Sequence, residues 1–205
     1  MRFPNPRKKL FLSVLALCAT ALAASGQRDR QEVVTIDRVN FDSQNDDWVR
    51  VEVELTCNEN PLPDARDRDY VEDVNVKVYL AYPINEAERK FDFYVQDVDI
   101  VIMERGESYN VYFYLPGLIV ERDDLPDEPE YYFVEVSVAD NLQPPQEKGL
   151  SSKIPNPRLL ESMKAKAEAE AGDNEDVLMP IYHAPANVRG RVDDLPVFLR
   201  RTVGE

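Results

Sequence analysis

Residues able to do chemistry are few in this chain and widely spaced. Among 205 residues there is one histidine, His183, and two cysteines, Cys18 and Cys57. A single histidine excludes any centre that needs two, such as the HExxH zinc site. There is no GxSxG elbow, no DTG or DSG dyad, and no phosphate-cradling loop among only seven glycines. Carboxylates are the exception, at 39. Pairs of them could serve a glycosidase-like hydrolase, which is the weakest of three functional readings. Two acidic runs invite comparison with calcium loops. In Asp42–Asp47 the EF-hand positions that need Gly and Glu hold Asp47 and Val53, so a solvated turn is expected. The run from Asp123 to Glu128 could also gather oxygen ligands. His183, between Tyr182 and Ala184, is expected to be structural or exposed. No catalytic residue, metal ligand or cofactor is therefore assigned.

What remains is a chemistry of contact. Tyr79, Tyr94, Tyr112 and Tyr114 fall in the polar phase of alternating segments, which predicts an outward tyrosine face, either paired across strands or covered by a partner. Cys57 falls in the apolar phase and is expected to be a buried, inert free thiol.

The elements that would position these residues are strands. From Glu32 to Ala139 the chain reads almost wholly as β. Val49, Val51, Val53, Leu55 and Cys57 alternate with Arg50, Glu52, Glu54 and Thr56, the pattern of a strand with one face on a core. Val74–Leu80, Phe91/Phe93/Val95, Val98/Ile100/Ile102, Val111–Leu115 and Val134–Val138 repeat it, after a first strand at Val34 and Ile36. Glu104-Arg105-Gly106-Glu107 has the form of a hairpin turn. About seven short strands with such turns predict an all-β, immunoglobulin-like sandwich over residues 32–154, held without a disulfide. Within it, Gln143-Pro144-Pro145-Gln146 reads as a linker and Ser151–Ile154 as an edge strand. Asn156 and Pro157 open a helix over 155–172 with a stripe of Leu160, Met163 and Ala167. Residues 173–205 form an extended tail with two apolar patches, VLMPIY and VFLRR. That tail is expected to fold back over the tyrosines, a tail free for another subunit being the alternative.

Compartment is read from the amino terminus. Arg2, Arg7, Lys8 and Lys9 precede an apolar run from Leu10 to Ala24, short for a membrane span. Ala21 and Ala23 provide the small-x-small cleavage pattern, so residues 1–23 are expected to be a signal peptide cut between Ala23 and Ala24, followed by a polar lead over 24–31. Cys18 follows Leu17 rather than a small residue, which argues against a lipoprotein, and the prepilin pattern is missing. A net charge of -15 excludes nucleic acid as a partner.

The block Tyr112–Asp123 (YFYLPGLIVERD), the run Tyr131–Val136 (YYFVEV) and the tail run Val177–Tyr182 (VLMPIY) carry a further signal. Together they resemble a verrucomicrobial family of exported immunoglobulin-like proteins encoded beside type IV pilus machinery. The resemblance implies a role in pilus assembly or the surface complex and brings no catalytic residue with it. The expectation is thus a non-enzymatic protein of the periplasm or outer-membrane surface of a Gram-negative-type bacterium. It would contact an envelope or pilus-complex protein, reach the membrane only through partners, and be free to self-associate. The alternative is a glycan- or glycoprotein-binding adhesion module with the tyrosines as its platform.

Overall fold

Strict alternation builds the clearest strand, β2 (Val49–Cys57), whose five odd-numbered residues are completely buried. In the computed structural model the described residues are 32–60, 62, 65–85, 90–174 and 176–199; the expected signal peptide and its cleavage point lie outside them. β2 pairs antiparallel with β1 (Val34–Ser43) on one side and with β5 (Ser108–Leu115) on the other. A two-residue strand from the tail, β8 (Met179–Pro180), closes this sheet in the order β1-β2-β5-β8. The second sheet is centred on β3 (Tyr70–Asn85). It runs β7 (Asn141–Leu142), β6 (Tyr131–Val138), β3, β4 (Lys90–Glu104) and β9 (Val197–Leu199). The inward valines of both sheets form one continuous core, as in two-sheet sandwiches generally.

Among the described residues two α-helices accompany the sheets. α1 (Gly117–Asp123) follows Pro116 directly after β5. α2 (Pro157–Glu170) begins as expected, with the Asn156 side chain accepting from the Leu159 amide at 3.1 Å. Its buried stripe is Leu160, Met163 and Ala167, and it lies on the outer face of the second sheet, over Tyr79, Ala81, Phe93 and Phe133.

Several expectations are corrected here. The segments 91–95 and 98–102 are one strand, β4, and its inward residues are Tyr94, Val98, Ile100 and Met103. Phe91, Phe93 and Val95 face α2 instead. With a helix on one face and a sheet on the other, both phases of the strand are apolar, so alternation cannot tell them apart. Asp73, at φ +55°, also breaks the phase: Val71 and Val74 are both buried, as are Met103 and Ile100 across from them. Ile102 is thereby turned away from the core.

Glu104–Glu107 is not a hairpin turn. It is the corner where the chain passes from one sheet to the other, and the Gly106 amide (φ +85°) donates to the Cys57 carbonyl at 2.7 Å. Ser151–Ile154 forms no strand; Leu150 makes a single bridge to Phe133, and the Ser151 amide reaches the Tyr132 carbonyl at 3.0 Å.

The expected linker Gln143–Gln146 is a clamp on the edge of β1. The Gln143 side-chain oxygen accepts from the Val33 and Val34 amides at 2.8 and 3.2 Å. The Gln146 side chain accepts from the Ile36 amide at 2.6 Å and donates to the Val34 carbonyl at 2.8 Å. Two side-chain amides thus stand in for the missing neighbour strand, which keeps this edge from pairing elsewhere.

Candidate interaction surface

The four tyrosines expected on one outward face are all buried, and they lie in three different places. Tyr79 sits under α2, stacked on Phe133 at 5.9 Å, with its hydroxyl donating to Glu168 at 3.2 Å. Burial pushes its pKa well up. Tyr94 is in the sandwich core, edge-on to Tyr82 at 5.9 Å. Neither of those two hydroxyls meets a hydrogen-bond partner among the described residues, and burial raises Tyr94 to about 12. Only Tyr112 and Tyr114 share a surface, and the tail covers it.

That cover is built residue by residue. Ile181, Ala184 and Val188 close over the two rings as a buried cluster. The Ile181 amide donates to the Tyr112 carbonyl at 3.0 Å, and the Tyr114 hydroxyl donates to the Arg189 carbonyl at 2.9 Å. Arg50 ties the seam. Its guanidinium stands 5.3 Å over the Tyr112 ring, donates to the Arg191 carbonyl at 2.7 Å, and meets Asp42 at 2.9 Å. Leu178 goes deeper, completely buried in the main core, and its carbonyl accepts from the Gln96 side chain at 3.0 Å. The tail folds back in cis and adds a strand to each sheet.

The remaining candidates are placed as follows. Cys57 is fully buried, its sulfur 3.9 Å from the Met103 carbonyl, and burial raises its pKa to about 11. His183 is exposed and edge-on to Tyr182 at 4.7 Å. In the acidic runs, Asp42 is engaged by Arg50, and Asp123 by Arg122 at 2.6 and 2.7 Å, which holds the Asp123 carboxyl below its ordinary range. Among the described residues no three acidic, histidine or cysteine side chains converge as a metal site. No helix among them is long and apolar enough to cross a membrane.

What the structure leaves exposed is different from what the aromatic pattern indicated. Leu195, Val197 and Leu199 are 43%, 58% and 56% exposed, the last two on β9, the outermost strand of its sheet, and Leu195 just before it. Beside it, Ile102 pairs with Val197 and also lines a cavity of about 700 Å³, together with Leu62, Tyr70, Glu72 and Asp73. An apolar edge next to an acid-rimmed hollow is the most evident contact surface on the described chain. The sequence carried its signal as the alternation Leu195-x-Val197-x-Leu199, hidden in what read as a tail patch.

These elements define the class: an immunoglobulin-like β-sandwich with an added C-terminal helix and a tail woven into both sheets. No protein-family profile matches the chain, and no curated protein does. Solved structures do. A crystal structure from Akkermansia muciniphila, a verrucomicrobium, superposes with a TM-score of 0.57 at 14% identity, over 82% of this chain and 94% of that one. At that identity the likeness shows the fold.

Proposed function

We propose that this chain is a non-enzymatic, exported envelope protein that works by protein–protein contact within a type IV pilus-associated assembly. The observation that carries the reading is the tail lying over Tyr112 and Tyr114. A flat, open tyrosine platform would have pointed to glycan binding. Instead each candidate tyrosine is buried, and the surface offered to a partner is an aliphatic strand edge. Two further points support the assignment. The segments that resemble the verrucomicrobial pilus-associated family are structural here: YFYLPGLIVERD forms β5 and α1, and VLMPIY forms the tail strand β8 and its flanks. The fold is shared with a verrucomicrobial protein over nearly that protein's whole length. Export rests on the amino-terminal sequence, and the expected partner is an envelope or pilus-complex protein. Deletion of the gene, with pili counted by electron microscopy, tests the proposal. Loss or shortening of pili, restored by the intact gene, is expected; unchanged pilus number and length would overturn it.

A further inference from the structure

The hollow beside β9 is built by a departure from regular strand. Asp73 takes a left-handed backbone inside β3, at φ +55°, and Ala139 does so just after β6, at φ +46°. The Ala139 amide donates to the Asp73 carbonyl at 2.9 Å and couples the two. Alanine has no side-chain hydrogen bond to offset that conformation, so the surroundings must hold it there. The bulge turns the cross-strand pair Glu72 and Ile102 outward, and both line the hollow with Asp73 and Ala139. Bulges and strained backbone gather where a protein re-aims side chains at a ligand.

The chemistry of the walls selects the occupant. Leu62, Tyr70 and Ile102 supply apolar surface, while Asp67, Glu72 and Asp73 set three carboxylates against one cation, Arg66. Glu72 and Asp73 are exposed, and a concave wall focuses the field of such charges. An anionic ligand is therefore disfavoured, and so is a second copy, which carries the same net charge of -15. What fits is a cation with an apolar part. At about 700 Å³ the hollow has the size of a small-ligand pocket and takes a few side chains. The apolar surface also runs on past it. Ile102 pairs with Val197, and Val197 and Leu199 are exposed on the same face of β9. A free amine would leave that shoulder bare; a peptide covers it.

We propose that the hollow and its shoulder bind a segment of a partner protein in which an apolar side chain lies between lysines or arginines. In that pose the apolar side chain rests on Tyr70 and Ile102, and the cations meet Glu72 and Asp73. The assignment rests on the reading of the chain as a contact protein and states the chemistry of the contact.

Fluorescence anisotropy of a labelled heptapeptide of alternating lysine and leucine, titrated with the full-length protein, tests this. Saturable binding that weakens as salt rises is expected. Matched peptides with serine for leucine, or glutamate for lysine, should bind far less. Glu72→Gln should weaken binding about two- to five-fold, the effect of one exposed ion pair. Glu161→Gln, the same charge change on the exposed face of α2, should leave it unchanged. Ile102→Lys should abolish it, and circular dichroism confirms that each variant is folded. No binding, equal binding of the serine peptide, or an equal loss in Glu161→Gln and Glu72→Gln would overturn the proposal. Displacement by n-hexylamine at the peptide's own concentration would overturn it too, in favour of a free alkylamine. The titration is independent of pilus number, so the peptide site and the assembly role fail separately.

Discussion

Leu178 tests whether the tail belongs to the fold. Its side chain is completely buried among residues of both sheets, although it sits in a tail, beyond the last helix. Truncation to alanine removes the buried methyl groups and leaves a cavity walled by β strands that cannot collapse easily. Such changes lower stability by about 2–5 kcal/mol. For a chain of this size each kcal/mol moves the midpoint by about 2–4 °C, so Leu178→Ala should lower it by about 4–20 °C. Leu118→Ala is the control, because Leu118 is 79% exposed on α1 and should change stability by less than about 0.5 kcal/mol. Differential scanning calorimetry at low protein concentration reads both. If Leu178→Ala melts with wild type, the tail is not part of the core. Removal of everything after Gly172 should do far more than lower the midpoint. It would strip Leu178, Ile181 and Val188 from buried positions, roughly 1.5–3 kcal/mol each, against a total stability of about 5–15 kcal/mol.

Other consequences follow from single contacts. Cys57→Ser should lower stability by about 1–3 kcal/mol in urea unfolding, since the Met103 carbonyl, 3.9 Å from the sulfur, is too far to satisfy a buried hydroxyl. Burial raises the Cys57 pKa from 9.0 to about 11, so the fold favours the protonated thiol. The stability this gives is complete below pH 9 and disappears as pH rises towards 11, and a Cys57→Ala variant should lose that part of the alkaline decline. Gln146→Ala orphans the Ile36 amide, at roughly 1–3 kcal/mol for that buried group, while the Val34 carbonyl keeps the Gln143 side-chain amide at 3.3 Å; it should speed hydrogen exchange at Ile36 selectively. Gly117→Ala would place a methyl group 1.8 Å from the Asp46 carbonyl oxygen, forcing α1 and the β1–β2 turn apart; about 1–3 kcal/mol in thermal unfolding is expected.

Where one face of a strand meets the core and the other meets water, the sequence was readable. β2 is the plain case, with its phase and Cys57 correctly placed; β5 and β6 keep their inward valines in the expected phase although their outer faces are covered. Legibility failed where a third layer covers the outer face. Tyr79 under α2 and Tyr112 and Tyr114 under the tail keep the expected side of the strand but lose the expected exposure. Tyr94 changes side altogether, because β4 is apolar on both faces. The Gln143 and Gln146 clamp was hidden because a glutamine that replaces a backbone partner looks, in sequence, like any polar linker residue. The contact edge was hidden for a related reason: three alternating aliphatics broken by Pro196 are too short a run to separate from a tail.

The most direct test of the central claim is to isolate the tagged protein from envelope extracts of its own bacterium and identify what accompanies it by mass spectrometry. A protein that works by contact in a pilus-associated assembly should bring down type IV pilus components, enriched over an untagged control. Recovery of none of those components, in a preparation where the bait itself is folded and abundant, would contradict the assignment.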